Sequence, residues 1–172
     1  MTKQGGVIMS IYTNLKKRIA AAAAALFTAF ICCSDISVQA SVEVDETDLK
    51  TMAEKVIVLL NEARTEAGLE PLFMVPYLCD MAMVRSREII FNFAHQRPET
   101  NEKFITVVDT NLVPYSRAAE NIAAGSDTPE AVFEQWKNSS AHWSAMMNPD
   151  YTHIGVGVAY DSNSDYKWYW EQ

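Results

Sequence analysis

Three side chains in this sequence have the chemistry to act near neutral pH and no obvious duty in a core: His95, Glu120 and His142. His95 stands in an abrupt polar break, Phe93-Ala94-His95-Gln96-Arg97-Pro98, and His142 sits among small residues in Ser139-Ser140-Ala141-His142. Imidazole titrates near pH 6.5, so each histidine can be a neutral base or ligand at physiological pH. Glu120 lies in a run of small apolar residues, Ala118-Ala119-Glu120-Asn121-Ile122-Ala123. A carboxyl there is either at a surface edge or buried with a partner, and burial alone would keep it neutral. The separations between these residues are too long to make a motif. On the residues alone, His95 reads first as a cap on the end of a helix, where a cation is favoured by the dipole. Stronger signatures fail: there is no G-x-S-x-G elbow, phosphate loop, H-E-x-x-H or C-x-x-C pair.

The elements that would bring these residues to one cleft can be read from periodicity. A helix is expected over about Asp48–Ala67, capped around Thr47-Asp48 and stopped by Gly68, with Val56, Leu59, Leu60, Ala63 and Ala67 on its apolar face and Arg64 opposite. Pro76 suits the first turn of a second helix running to about Phe93. Leu78, Met81, Ala82, Ile89 and Phe93 form its stripe, and Arg85, Arg87 and Glu88 read as solvated charges. Phe104–Val108 fits a short helix or a strand equally. Asp127-Thr128-Pro129-Glu130 supplies the cap, first-turn proline and early acid of a third helix, which carries Ala131, Val132, Gln135 and Trp136 on one flank. His142–Met147 gives one or two further turns. Tyr151–Tyr160 and Tyr166–Gln172 read as an antiparallel hairpin, in which Gly155 and Gly157 leave one face bare for close approach by a helix.

The first forty residues read differently. Lys16-Lys17-Arg18, an alanine-rich apolar run over Ile19–Cys33 and the small-x-small site Val38-Gln39-Ala40 stand in the order of a secretory signal. The apolar run is short of the roughly 20 residues that span a bilayer, so cleavage is expected and a stable anchor is not. The expected organisation is a signal peptide over 1–40, a short acidic leader over 41–47 and one domain over 48–172. Cleavage would leave 132 residues, enough for one ordinary core. The whole chain has a formal charge of −8, and the removed segment carries four basic residues and one acid, so the mature protein is at −11. That balance excludes nucleic acid as a partner. Two of the three cysteines leave with the signal, and Cys79 alone can form no internal disulfide.

Five segments in order carry a resemblance: Leu60-Asn61-Glu62-Ala63-Arg64 with Gly68-Leu69; Ala94-His95-Gln96-Arg97-Pro98; Ala119-Glu120-Asn121-Ile122-Ala123; Trp136-Lys137-Asn138-Ser139-Ser140-Ala141-His142; and Tyr151-Thr152-His153-Ile154-Gly155-Val156-Gly157-Val158. Together they resemble the CAP superfamily (cysteine-rich secretory proteins, antigen 5, pathogenesis-related 1) in its bacterial, disulfide-free, SCP-like branch. The resemblance implies an α+β fold, a three-layer α–β–α sandwich with a central antiparallel sheet. It also implies a cleft where two histidines and two acids gather in many members. His95, Glu120 and His142 match three of those positions, whereas Ser139 stands where the fourth acid is expected. Ala119 and Ala141 replace glycines, and Trp143 replaces the usual arginine.

No cofactor is required by this pattern, but two imidazoles and a carboxylate could hold a divalent metal such as zinc with water in the open position. The expected function is a secreted, monomeric binding module for a small apolar ligand, a metal or a peptide at an extracellular or host surface. The alternative is an extracellular, protease-like hydrolase with a neutral histidine as base, Glu120 orienting it and Ser139 as nucleophile. A surface protein with no site is the third reading. His153 is expected to be packed or surface-exposed rather than a ligand.

Overall fold

The computed structural model describes residues 44–172. The expected signal peptide and residues 41–43 of the acidic leader lie outside the described residues, whereas Glu46 and Thr47 of that leader are helical. Among the described residues no helix is long and apolar enough to cross a membrane.

Helix α1 spans Glu46–Glu66 and begins two residues earlier than expected, because the Asp45 carboxylate accepts the Thr47 amide at 3.1 Å. Leu49, Ala53, Val56, Ile57 and Leu60 form its buried stripe, and Arg64 continues the stripe rather than opposing it. The Arg64 guanidinium is 1% exposed and donates to the carbonyls of Glu70 (2.9 Å), Met146 (2.8 Å) and Asn148 (3.0 Å). It is a buried clamp on chain ends that no regular element satisfies. Beyond it Gly68 takes a φ of +76°, a conformation that glycine adopts without strain, and the chain turns back. Asn61 then holds the returning segment, accepting the Leu72 amide at 2.8 Å and donating to its carbonyl at 3.0 Å.

The next strand, β1 (Phe73–Met74), leads into α2 (Pro76–Phe91), whose proline occupies the first turn as expected. Its buried face is Ala82, Met83, Arg85, Ser86 and Ile89. Phe93 lies beyond the helix and is half exposed. The ambiguous stretch resolves into a 3₁₀ turn over Phe104–Val107. It is followed by β2 (Ile122–Ala124), α3 (Pro129–Lys137) and α4 (Ser140–Met146). On α3 the buried residues are Val132, Phe133 and Trp136, while Ala131 and Gln135 face solvent. The Thr128 hydroxyl accepts the Ala131 amide at 3.2 Å, which makes Thr128 the cap.

The expected long strand divides into β3 (His153–Ile154) and β4 (Gly157–Tyr160), and the last strand, β5, is Trp168–Glu171. β1 and β3 pair in parallel. The hairpin is present, with Gly157 opposite Glu171 and Tyr160 opposite Trp168. β2 adds to β5, giving a three-stranded antiparallel sheet in the order β2-β5-β4. One face of this sheet presents Val158 and Trp170 to a core shared with Val56 and Leu60 of α1 and Val132 and Trp136 of α3. Tyr169 points the other way and packs with Ile122 and with Ile89 of α2. Helices thus cover both faces, the mixed α+β arrangement that was expected.

The contact between α2 and the sheet depends on two glycines. A Cβ on Gly155 would lie 2.2 Å from the Leu78 carbonyl carbon, and one on Gly157 would lie 2.3 Å from that of Ala82. Helix backbone rests directly on strand backbone, as the bare face predicted. This close approach sets the height of α2 above the sheet, and with it the position of every side chain between the two.

Candidate functional site

Arg85 organises the site, although its place in the sequence suggested a solvated charge. It lies on the face of α2 that carries Ala82 and Ile89, and it is fully buried. Its Nε donates to Glu120 Oε1 at 2.8 Å, its Nη1 to Glu88 Oε2 at 2.7 Å and its Nη2 to the Ala94 carbonyl at 3.0 Å. Glu88 in turn receives Arg97 Nε at 3.0 Å. Burial alone would weaken both charges, but the hydrogen bonds outweigh it: Arg85 is held above its ordinary pKa, and Glu88 below its own. The bond to Ala94 fixes the chain just after α2 and so places His95.

Glu120 precedes β2 with a fully buried side chain. Its second oxygen, Oε2, lies 2.7 Å from His95 Nδ1. Carboxylate oxygens accept, so Nδ1 carries the hydrogen and Nε2 is the nitrogen left free. The His95 side chain is 55% exposed, so that nitrogen can reach a partner from solvent. His95 is therefore oriented by a buried acid, and the helix end is closed instead by the Asn92 amide on the Glu88 carbonyl at 3.3 Å.

His142 comes to the same region on α4. Asn121, next to Glu120, donates to the His142 carbonyl at 3.3 Å and is locked to Gln172 by a reciprocal pair of backbone bonds at 3.0 Å. The His142 Nδ1 is buried and has no hydrogen-bond partner. Burial first, and the charge of His95 second, depress its pKa below the usual imidazole value. The structure thus joins His95 to Glu120 directly and ties the His142 backbone to the residue after Glu120.

It does not gather them as a three-ligand metal set. Both Glu120 oxygens are engaged by Arg85 and His95, and among the described residues no group of three or more His, Cys, Asp or Glu side chains is arranged to hold a metal ion. Glu120 serves as an orienting partner instead. Ser139 is the N-cap position of α4, and among the described residues no side-chain hydrogen bond joins its hydroxyl to either imidazole. Glu134 is exposed and pairs with Lys137 at 3.3 Å. His153 is exposed, edge-on to Phe73 with ring centroids 6.0 Å apart, and lines the cavity described below. Burial pushes the Cys79 thiol up from its ordinary pKa.

Beside this cluster lies a cavity of about 620 Å³, within the range of small-molecule sites. Its walls come from the first half of α2 (Leu78, Met81, Ala82), from the 3₁₀ turn and the loop up to Ala119, and from Asp150–Gly155. Ala119 and Asn121, which flank Glu120, line it, but His95, Glu120 and His142 do not. Glu171 of β5, 6% exposed, also lines it. Burial first, and the neighbouring Glu120 second, raise the Glu171 carboxyl well above its ordinary pKa. Sequence reasoning missed both Arg85 and Glu171. The available signals were spacing: Arg85 stands three residues after Ala82, and Glu171 two after Tyr169, each on a buried face.

A model of the cysteine-rich secretory protein family matches residues 58–172. The uncharacterised protein YkwD of Bacillus subtilis is 38% identical over 105 residues, which cover 60% of this chain and 40% of that protein. The uncharacterised membrane protein YlbC of the same organism is 34% identical over 116 residues, covering 64% of this chain and 32% of its own length. The chain therefore spans well under half of either relative. Among solved structures, an extracellular SCP-domain protein from Bacillus anthracis superposes with a TM-score of 0.62 at 24% identity, covering 76% of this chain and 44% of its own. An outer surface protein from Borrelia burgdorferi gives 0.58 at 19% identity, covering 72% of this chain and 91% of its own. Both likenesses bear on the fold.

Proposed function

The chain belongs to the cysteine-rich secretory protein family, and from that premise we propose that it is an exported binding module that takes a small, largely apolar ligand into the cavity beside the His95–Glu120 pair. The observation that carries this reading is the cavity itself: about 620 Å³, walled by Leu78, Met81, Phe104 and Ile105, and open past Leu112 and Tyr115. Leu112 is 65% and Tyr115 45% exposed, so the rim offers apolar surface to an approaching molecule. Export is supported by the order of basic, apolar and small-residue regions before Ser41. The extracellular and outer surface proteins that share the fold agree with it.

The same geometry gives less support to hydrolysis. The buried acid orients His95, yet the exposed Nε2 has no hydroxyl or thiol nucleophile hydrogen-bonded to it among the described residues. The Arg97–Glu88–Arg85–Glu120–His95 chain instead fixes the segment after α2 and Glu120 itself, whose neighbours Ala119 and Asn121 line the cavity. The test is titration of the mature protein with an environment-sensitive apolar dye. Saturable binding is expected, and Met81→Trp, which fills the cavity with an indole, should weaken it at least tenfold. Absence of saturable binding, or equal binding to the Met81→Trp protein, would overturn the reading.

A further inference from the structure

The cavity is lined by a largely buried acid, Glu171, that makes no side-chain hydrogen bond among the described residues. Glu171 lies on β5, opposite Gly157 of β4 and Ile122 of β2, so neither neighbouring strand offers it a charge. Its side chain emerges on the face of Tyr169, toward α2, where the glycine contact holds helix and sheet together. Among the described residues no donor is hydrogen-bonded to its carboxyl, although the residue is 94% buried. The carboxyl borders the cavity rather than being sealed in the core, so a ligand that enters can supply the donor that the fold does not.

The charges around it decide which ligand. The nearest cation, Arg85, already donates to Glu120, Glu88 and the Ala94 carbonyl. Glu120 opposes ionisation of Glu171 and Arg85 favours it, with burial the larger influence. Cys79 on α2 is an un-ionised thiol. At the rim Arg117 and Asp150 neutralise each other at 2.7 Å. No described positive group is therefore free to serve Glu171, and the walls between it and the rim are mostly apolar.

We propose that Glu171 is the counter-ion of this cavity and that it selects amphiphiles carrying a protonated amine, with the ammonium against Glu171 and the apolar body along Leu78, Met81 and Ile105. The assignment rests on the reading of the cavity as a ligand site. An uncharged alcohol of the same shape would gain the apolar contacts and one hydrogen bond. An ammonium gains a charge-assisted bond in a site with little water, where such pairs are strongest. When it enters, the Glu171 proton leaves to solvent, and the carboxylate that remains pairs with the ammonium.

Displacement of the bound dye by decylamine and by decanol tests this on the mature protein at neutral pH. Decylamine is expected to displace the dye at concentrations at least tenfold below decanol, and Glu171→Gln should bring the two to the same level, each read against that variant's own dye affinity. Glu171→Leu serves as a second variant with the same expectation, and thermal melts confirm that both fold. Equal displacement by amine and alcohol in the unchanged protein would overturn the counter-ion and leave the cavity reading standing. An amine preference that survives in Glu171→Gln and Glu171→Leu would place the amine on the acidic surface at large and overturn it too. Failure of the dye itself to bind would remove the cavity reading first.

Discussion

At the scale of single residues the molecule is held by charges that hydropathy patterning places outside. Glu120 was legible, since an acid in a run of small apolar residues needs a partner if it is buried. The partner was not, because the three-residue step from Ala82 to Arg85 is invisible when charged residues are assigned to solvent by type. Arg64 escaped for the same reason, and Glu171 because a short aromatic strand does not reveal which face is covered. His95 read as a cap, whereas it is an oriented imidazole. Only the fold places Glu120 behind it, since their contact spans 25 residues of chain. The Arg85–Glu120 pair gives a prediction with a sign. Arg85→Met should lower stability by about 3–5 kcal/mol, because it strands a buried carboxylate. Adding Glu120→Met should recover much of that loss, because a buried pair replaced as a whole by apolar side chains is close to neutral. Urea unfolding of the two variants checks this, and a double variant weaker than Arg85→Met alone would contradict it.

At the scale of elements, helices and hairpin could be read because each has a long period or a sharp punctuation: Pro76, Thr128-Pro129 and the polar turn before Trp168. Phe104–Val107 could not, since a run of that length fits both periods. The split of the expected strand into β3 and β4 was also hidden, because β3 turns away to pair in parallel with β1. The bare glycine face was the most informative local signal, and it predicts a sharp difference between glycines. Gly157→Ala places a methyl 2.3 Å from the backbone of Ala82, where no rotamer change can relieve it, so α2 must lift from the sheet. A cost of about 2–3 kcal/mol is expected from such overpacking. Gly68→Ala meets no atom within 4 Å and suffers only from its φ of +76°, so roughly 1 kcal/mol is expected. Thermal melts of the two proteins should rank them in that order, and a Gly68→Ala protein less stable than Gly157→Ala would mean that the helix–sheet contact is not what limits the fold.

At the scale of the whole molecule, one question joins sequence and structure: what holds the described domain together. The described domain has its own start, since Asp45 caps α1 and the core begins at Leu49. The cleavage expected after Ala40 would carry away Cys32 and Cys33. Cys79 is then a single half-buried thiol, and cohesion comes from apolar burial and the Arg64 and Arg85 clamps. Trp136 and Trp170, both fully buried on one side of the sheet, lie at the centre of that core, and loss of either indole should cost about 3–5 kcal/mol. Two measurements on protein recovered from the medium follow. Its intact mass should correspond to a chain beginning at Ser41, and its melting temperature should be the same with and without a thiol reductant. Retention of Met1 or Met9 would refute the cleavage site. A drop of several degrees on reduction would reveal a disulfide between chains through Cys79, and stability would then depend on protein concentration as well as on the core.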